Sequence, residues 1–145
     1  MTQIVGQLDN SNNYAGTTTV ASGVLILGKN NGALAIPGNL VIDAGAYVQF
    51  DGANSVARVG ALGVTANQIA TNATVIDNGV FDIAGINQTI AALYGNGIVR
   101  LDDSHLFSGT GVGTIGVLTV GSGNFTGTIM GAAPDDSLRK WAREN

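Results

Sequence analysis

The chain is expected to be an all-β solenoid of stacked strand–turn–strand units, and three features of the sequence predict it. The first is a recurring phrase: a β-branched or aromatic residue, two further residues, a Gly, then apolar residues two and four positions beyond. It reads TVASGVLIL ending at Leu27, TVIDNGVFDI ending at Ile83 and LYGNGIVRL ending at Leu101. The second is turn chemistry, with 22 glycines and only two prolines in 145 residues and Asn/Gly clusters (GKNNGA at 28–33, FDGANS at 50–55) that tolerate the left-handed backbone of tight corners. The third is that no single copy can bury its apolar face, whereas stacked copies can.

Strand side chains alternate, so residues two apart share a face. In the first unit Val20 precedes Gly23, and Leu25 and Leu27 follow on one inward face. In the second, Ile42 precedes Gly45, but GAYVQFDG matches GVFDIAG best with Val48 and Phe50 inside, one residue late, which predicts a bulge or slipped turn. The third unit places Ile76, Gly79, Phe81 and Ile83, and the fourth Tyr94, Gly97, Val99 and Leu101. A looser fifth has Val120, Gly123 and Phe125. The predicted core is therefore Val20, Leu25, Leu27, Ile42, Ile76, Phe81, Ile83, Val99 and Leu101, and the predicted turn glycines are Gly23, Gly45, Gly79, Gly97 and Gly123. RVGALGVTANQIATN, from Arg58 to Asn72, breaks the pattern and is expected to be a long surface loop.

Residues 1–131 form one expected domain, and 132–145, AAPDDSLRKWAREN, change character. Asp135 or Asp136 suits a helix N-cap, Arg139, Lys140 and Arg143 suit its C-terminal end, and Leu138, Trp141 and Ala142 form one apolar stripe. A short helix presenting Leu138 and Trp141 would cap the open end of the solenoid.

Composition removes several function classes. With 11% charged residues and a net charge of −4, there is no basic stripe for nucleic acid. The absence of cysteine excludes disulfides, thiol catalysis and thiolate-ligated zinc. No apolar run approaches the roughly 20 residues of a spanning helix. The start, MTQIVGQLDNSNN, lacks the basic and apolar regions of a secretory signal, so export would belong to a longer parent protein.

LDNSNNYAGTTTVASGVLIL, residues 8–27, resembles the autotransporter-associated β-strand repeat through Asn12, Tyr14, Gly16, Thr18, Val20, Gly23, Leu25 and Leu27. GVFDIAGINQTIAALYGNGIVRL, residues 79–101, is similar to the rung pair of the same passenger regions, matching at Asn87, Gln88, Thr89, Ile90, Leu93, Gly95 and Gly97. LTVGSGNFTGTIMG at 118–131 resembles the strand that precedes the next repeat. The resemblance implies a right-handed parallel β-helix, here of about five to six rungs, displayed on or released from a Gram-negative outer membrane. It implies no catalytic residues. The departure is at the C-terminus, where WAREN stands in place of a further strand, and no membrane-barrel strands follow.

Two acidic constellations invite chemistry. Asp102, Asp103 and His105 could bind a metal or move a proton, but a polar corner is expected after Leu101 and a metal site needs three or four convergent ligands. Asp43, Asp77 and Asp82 recur beside turn glycines and would form an outward acidic ladder near Arg58 or Arg100, as in β-helix polysaccharide lyases, unless each only shapes its own turn. No cofactor motif is present. The sequence thus predicts a non-enzymatic structural or surface-display module, a fragment or truncated relative of an autotransporter passenger, self-associating through its ends. The alternatives are an adhesin fragment binding glycan or host protein and a polysaccharide lyase.

Overall fold

The computed structural model describes residues 2–5, 10–29, 32–51, 67–103 and 114–131. Among them the chain is all-β, with eleven strands and no helix. In chain order these are β1 (Thr2–Val5), β2 (Thr18–Val20), β3 (Val24–Leu27), β4 (Leu40–Ile42), β5 (Tyr47–Phe50), β6 (Thr74–Asp77), β7 (Val80–Asp82), β8 (Gln88–Gly95), β9 (Ile98–Arg100), β10 (Leu118–Phe125) and β11 (Thr128–Met130). Odd-numbered strands build a six-stranded sheet in the order β1-β3-β5-β7-β9-β11, and even-numbered strands a five-stranded sheet in the order β2-β4-β6-β8-β10. Every pairing is parallel. The chain lays one strand on one sheet, turns a short corner, lays the next on the other sheet, and returns one layer further on.

Parallel register places chemically similar residues in columns across each sheet. In the six-stranded sheet Leu25, Val48, Phe81, Val99 and Ile129 are successive partners. In the five-stranded sheet Leu40, Val75 and Leu93 form one column and Val20 and Ile42 another. Apart from the exposed Ile129, these columns meet in a single apolar core that also takes in Leu27, Phe50, Ile83 and Ile90, with Leu25, Leu101, Leu118 and Phe125 partly buried against it. Phe50 and Phe81 stack edge to face at its centre, with ring centroids 5.8 Å apart at 71°. Val48 and Phe50 pair with Leu25 and Leu27, the register that the one-residue slip at Gly45 produces.

Hydrogen bonding between layers continues through the corners. The Asp43, Asn78 and Gly97 N–H groups donate to the carbonyls of Val20, Ile42 and Asp77 at 3.0, 2.8 and 2.9 Å. Such close superposition excludes a side chain at one position of the three later corners, those of Gly79, Gly97 and Gly127. A Cβ on Gly97 would run into the Gly79 carbonyl beneath it, as one on Gly127 would into Gly97. In the β4–β5 corner that position is held by Ala46, whose carbonyl a Cβ on Gly79 would meet. Gly45 is the residue before it, in the left-handed region at φ +85°.

Three expectations are corrected. Ile76 is not in the core but exposed on the outer face, and Asp77 is the buried partner of Ile42. The β6–β7 corner holds only residues 78–79, against 21–23 between β2 and β3, so counting back three from the Gly lands on the wrong face. The same shortening leaves Tyr94 exposed in register with Ile76. Gly123 is not a turn residue; it pairs with Leu93 inside β10, and the corner glycine of that layer is Gly127. The expected helix at 132–145, with Leu138 and Trp141, lies outside the described residues.

Phe81 is fully buried beneath the Phe50 ring. Phe81→Ala is therefore expected to cost about 3–5 kcal/mol in urea unfolding, and Phe81→Leu less than half of that. A loss below about 1 kcal/mol for the alanine variant would contradict this packing.

Candidate functional site

Between the strands of the six-stranded sheet and those that follow on the five-stranded sheet, side-chain amides join the layers alongside a few backbone bonds. The dipeptide Asn-Gln occurs at 67–68, ahead of β6, and again at 87–88, at the start of β8. The glutamine reaches back one layer. Gln68 Oε1 accepts the Lys29 N–H at 2.7 Å while its Nε2 donates to the Lys29 carbonyl at 3.0 Å, as a strand neighbour would. Gln88 Oε1 accepts the N–H groups of Gln68 and Ile69 at 2.8 and 3.1 Å, and its Nε2 donates to the Ile69 carbonyl at 2.9 Å and to its neighbour Thr89's at 2.6 Å. Both glutamines are buried.

The asparagine of each pair reaches forward. Asn67 Oδ1 accepts the Thr89 N–H at 2.8 Å, and Asn87 Oδ1 the Val117 N–H at 3.0 Å. Asn39, ahead of β4, uses its carbonyl for the Thr18 N–H at 2.8 Å and its side chain for the Thr74 N–H at 2.9 Å, so it too joins three layers. Each Asn-Gln pair thus ties one layer to those on either side. A buried backbone N–H or C=O that lacks a partner costs about 1–3 kcal/mol, and these amides remove that cost where no strand is available.

A second polar cluster lies on the face of the six-stranded sheet opposite the core. Tyr47, Gln49, Asp82 and Arg100 share that face by register. The Tyr47 hydroxyl and Gln49 Nε2 both donate to Asp82 Oδ2, at 2.7 and 3.0 Å, and the Ala84 N–H donates to Oδ1 at 2.9 Å. That last bond opens a turn whose central residues, Ala84 and Gly85, are both left-handed, closed by the Ile86 N–H on the Ile83 carbonyl. Burial pushes the Asp82 carboxyl up to about 6, with Gln49, Tyr47, Ala84 and Arg100 holding it lower than burial alone would. Burial, and then the Asp82 charge, push the Tyr47 hydroxyl above its ordinary range.

The outward acidic ladder does not form. Asp77 faces the core beside Ile42, Asp82 is buried on the other side of the neighbouring sheet, and Asp43 sits on a corner. Arg58 and His105 lie outside the described residues. Asp102 and Asp103 are buried in structural roles: Asp102 bridges to Ile115, and Asp103 accepts the Thr114 N–H on Oδ1 at 2.8 Å while donating its own N–H to the Thr114 carbonyl at 3.0 Å. Among the described residues no three acidic or imidazole groups converge as metal ligands. Of the expected loop at 58–72, residues 68–70 are not a surface excursion, since Gln68, Ile69 and Ala70 are buried and Ile69 bridges to Ile36, whereas Thr71 and Asn72 are exposed. The repeated Asn-Gln dipeptide was the available signal for this clamp; apolar periodicity does not register it.

No protein-family model matches the chain, and neither a curated protein nor a solved structure is significantly similar to it.

Replacing Gln88 by Leu strands four backbone groups and is expected to cost about 3–5 kcal/mol in denaturant unfolding, well above the cost of Thr89→Ala on the exposed face. Equal effects of the two substitutions would mean that the amide clamp contributes little.

Proposed function

We propose that this chain is a non-enzymatic structural module in which the two sheets are faces of one right-handed parallel β-helix. On this reading it is a piece or relative of a Gram-negative autotransporter passenger that extends or presents other segments at the cell surface. The observation that carries the reading is the unbroken parallel pairing from β1 to β11 and from β2 to β10, with the chain alternating between the sheets. The use of buried polar side chains supports it, because Gln68, Gln88, Asp82 and Asp103 all spend hydrogen bonds on holding backbone or neighbouring layers. The repeat resemblance of residues 8–27 and 79–101 supplies the passenger assignment and the surface location.

Self-association follows from the ends. Among the described residues β10 and β11 are the last strands of their sheets, and Val120 and Ile129, register partners of the buried Ile90 and Val99, are exposed there. Open parallel edges with apolar residues recruit further strands. The partner expected is a second copy of this chain.

Light scattering at increasing concentration tests this. The wild-type chain is expected to grow in mass, and the double substitution Val120→Lys, Ile129→Lys to return it to monomer. A wild-type chain that stays monomeric at millimolar concentration would remove self-association. Release of reducing ends from acidic polysaccharide with calcium would remove the non-enzymatic reading.

A further inference from the structure

A carboxyl occupies a place in the core where the neighbouring layers put aliphatic side chains. Val20, Ile42 and Asp77 are register partners on β2, β4 and β6. Gly95 of β8 lies directly over the Asp77 backbone, too close for any side chain, and Phe125 is the partner of Gly95. Asp77 is fully buried. Its Oδ1 accepts the Gly79 N–H at 3.1 Å, whereas Oδ2 is buried with no hydrogen-bond partner. Its carbonyl accepts the Gly97 N–H at 2.9 Å, so this one residue holds both the Asn78-Gly79 and the Asn96-Gly97 corners.

Among the described residues the surroundings offer no compensating charge. Ile42, Gly79, Gly95 and Gly97, which pack against Asp77 from β4, the two corners and β8, are all uncharged. Asp43 follows Ile42 on the adjacent corner, and Asp82 and Arg100 lie on the far face of the other sheet. Among the described residues no charged group contributes to the state of Asp77: burial raises its carboxyl to about 7, opposed by the Gly79 N–H.

We propose that Asp77 is a pH-sensitive latch: protonated, it seals the corners at Gly79 and Gly97 into the core, and ionised, it loosens them. A lone buried carboxylate with an unpartnered oxygen is costly, while the neutral acid is tolerated. The direction follows from linkage. The carboxyl titrates near 4 when unfolded and near 7 when folded. Its contribution is complete below the unfolded value and is lost as pH rises towards the folded one, by on the order of tenfold in the folding equilibrium per pH unit. Asp82 acts in the same sense over a window that closes near pH 6, so between pH 6 and 7 Asp77 acts without it.

The test compares urea midpoints of the wild-type chain, Asp77→Asn and Asp82→Asn from pH 5 to 8, with carboxyl-carbon NMR of the wild type. The wild-type midpoint is expected to fall between pH 6 and 7. Asp77→Asn should abolish that fall, Asp82→Asn should keep it, and the Asp77 carboxyl should titrate near 7. Exchange of the Gly79 and Gly97 amides, corrected for intrinsic rates, should accelerate over the same interval in the wild type and in Asp82→Asn but not in Asp77→Asn. An unchanged fall in Asp77→Asn, or a wild-type carboxyl that titrates near 4, would overturn the proposal. The NMR titration decides the matter if the variant does not fold.

Discussion

The requirement that backbone hydrogen bonds pass from each layer to the next governs this structure. Within the two sheets strand pairing meets it at no cost in sequence, since any residue with an N–H and a C=O can take part. Outside the strands backbone bonds such as that from the Ala70 N–H to the Ile36 carbonyl meet part of it, and chosen side chains meet the rest. The chain uses Asn39, Asn67, Gln68, Asn87 and Gln88 there, each amide aimed at the backbone of an adjacent layer. At the three later corners the same close stacking leaves no room for a Cβ, which accounts for the line of Gly79, Gly97 and Gly127 above Ala46.

Strand positions and the corner glycines of the third and fourth units were legible because alternation and backbone sterics are local properties. The side facing the core was less so. Face depends on corner length, and a corner shortened by one residue exchanged Ile76 for Asp77. Hydropathy favours Ile inside and Asp outside, so reading the side chains alone reinforced the error. In the fifth unit, Ser-Gly-Asn-Phe at 122–125 imitates a corner, yet β10 runs straight through it to Phe125. The length of β8, which supplies the partner for those residues, settles the matter and is a tertiary fact.

The candidate site was the least legible part. Acidic residues near glycines suggested chemistry, and three of the described ones take defined places in the layer stack. Asp103 pins Thr114, Asp82 gathers Tyr47, Gln49 and a left-handed turn, and Asp77 lies within the apolar core. Asp82 and Asp77 differ in how burial is compensated. Three donors converge on Asp82, whereas a single N–H serves Asp77. Well-satisfied buried groups rigidify a fold, and poorly satisfied ones leave a point at which it yields.

The central claim, layer-by-layer parallel stacking, can be measured along one outer column. Thr19, Val41, Ile76, Tyr94 and Asn124 are successive register partners across the five-stranded sheet. Spin labels at Thr19 paired in turn with each of the others should report separations that increase steadily, by about 4.8 Å per strand. The order of distance must then follow the order of sequence. A Thr19 to Asn124 separation shorter than that from Thr19 to Ile76 would contradict the stacked arrangement.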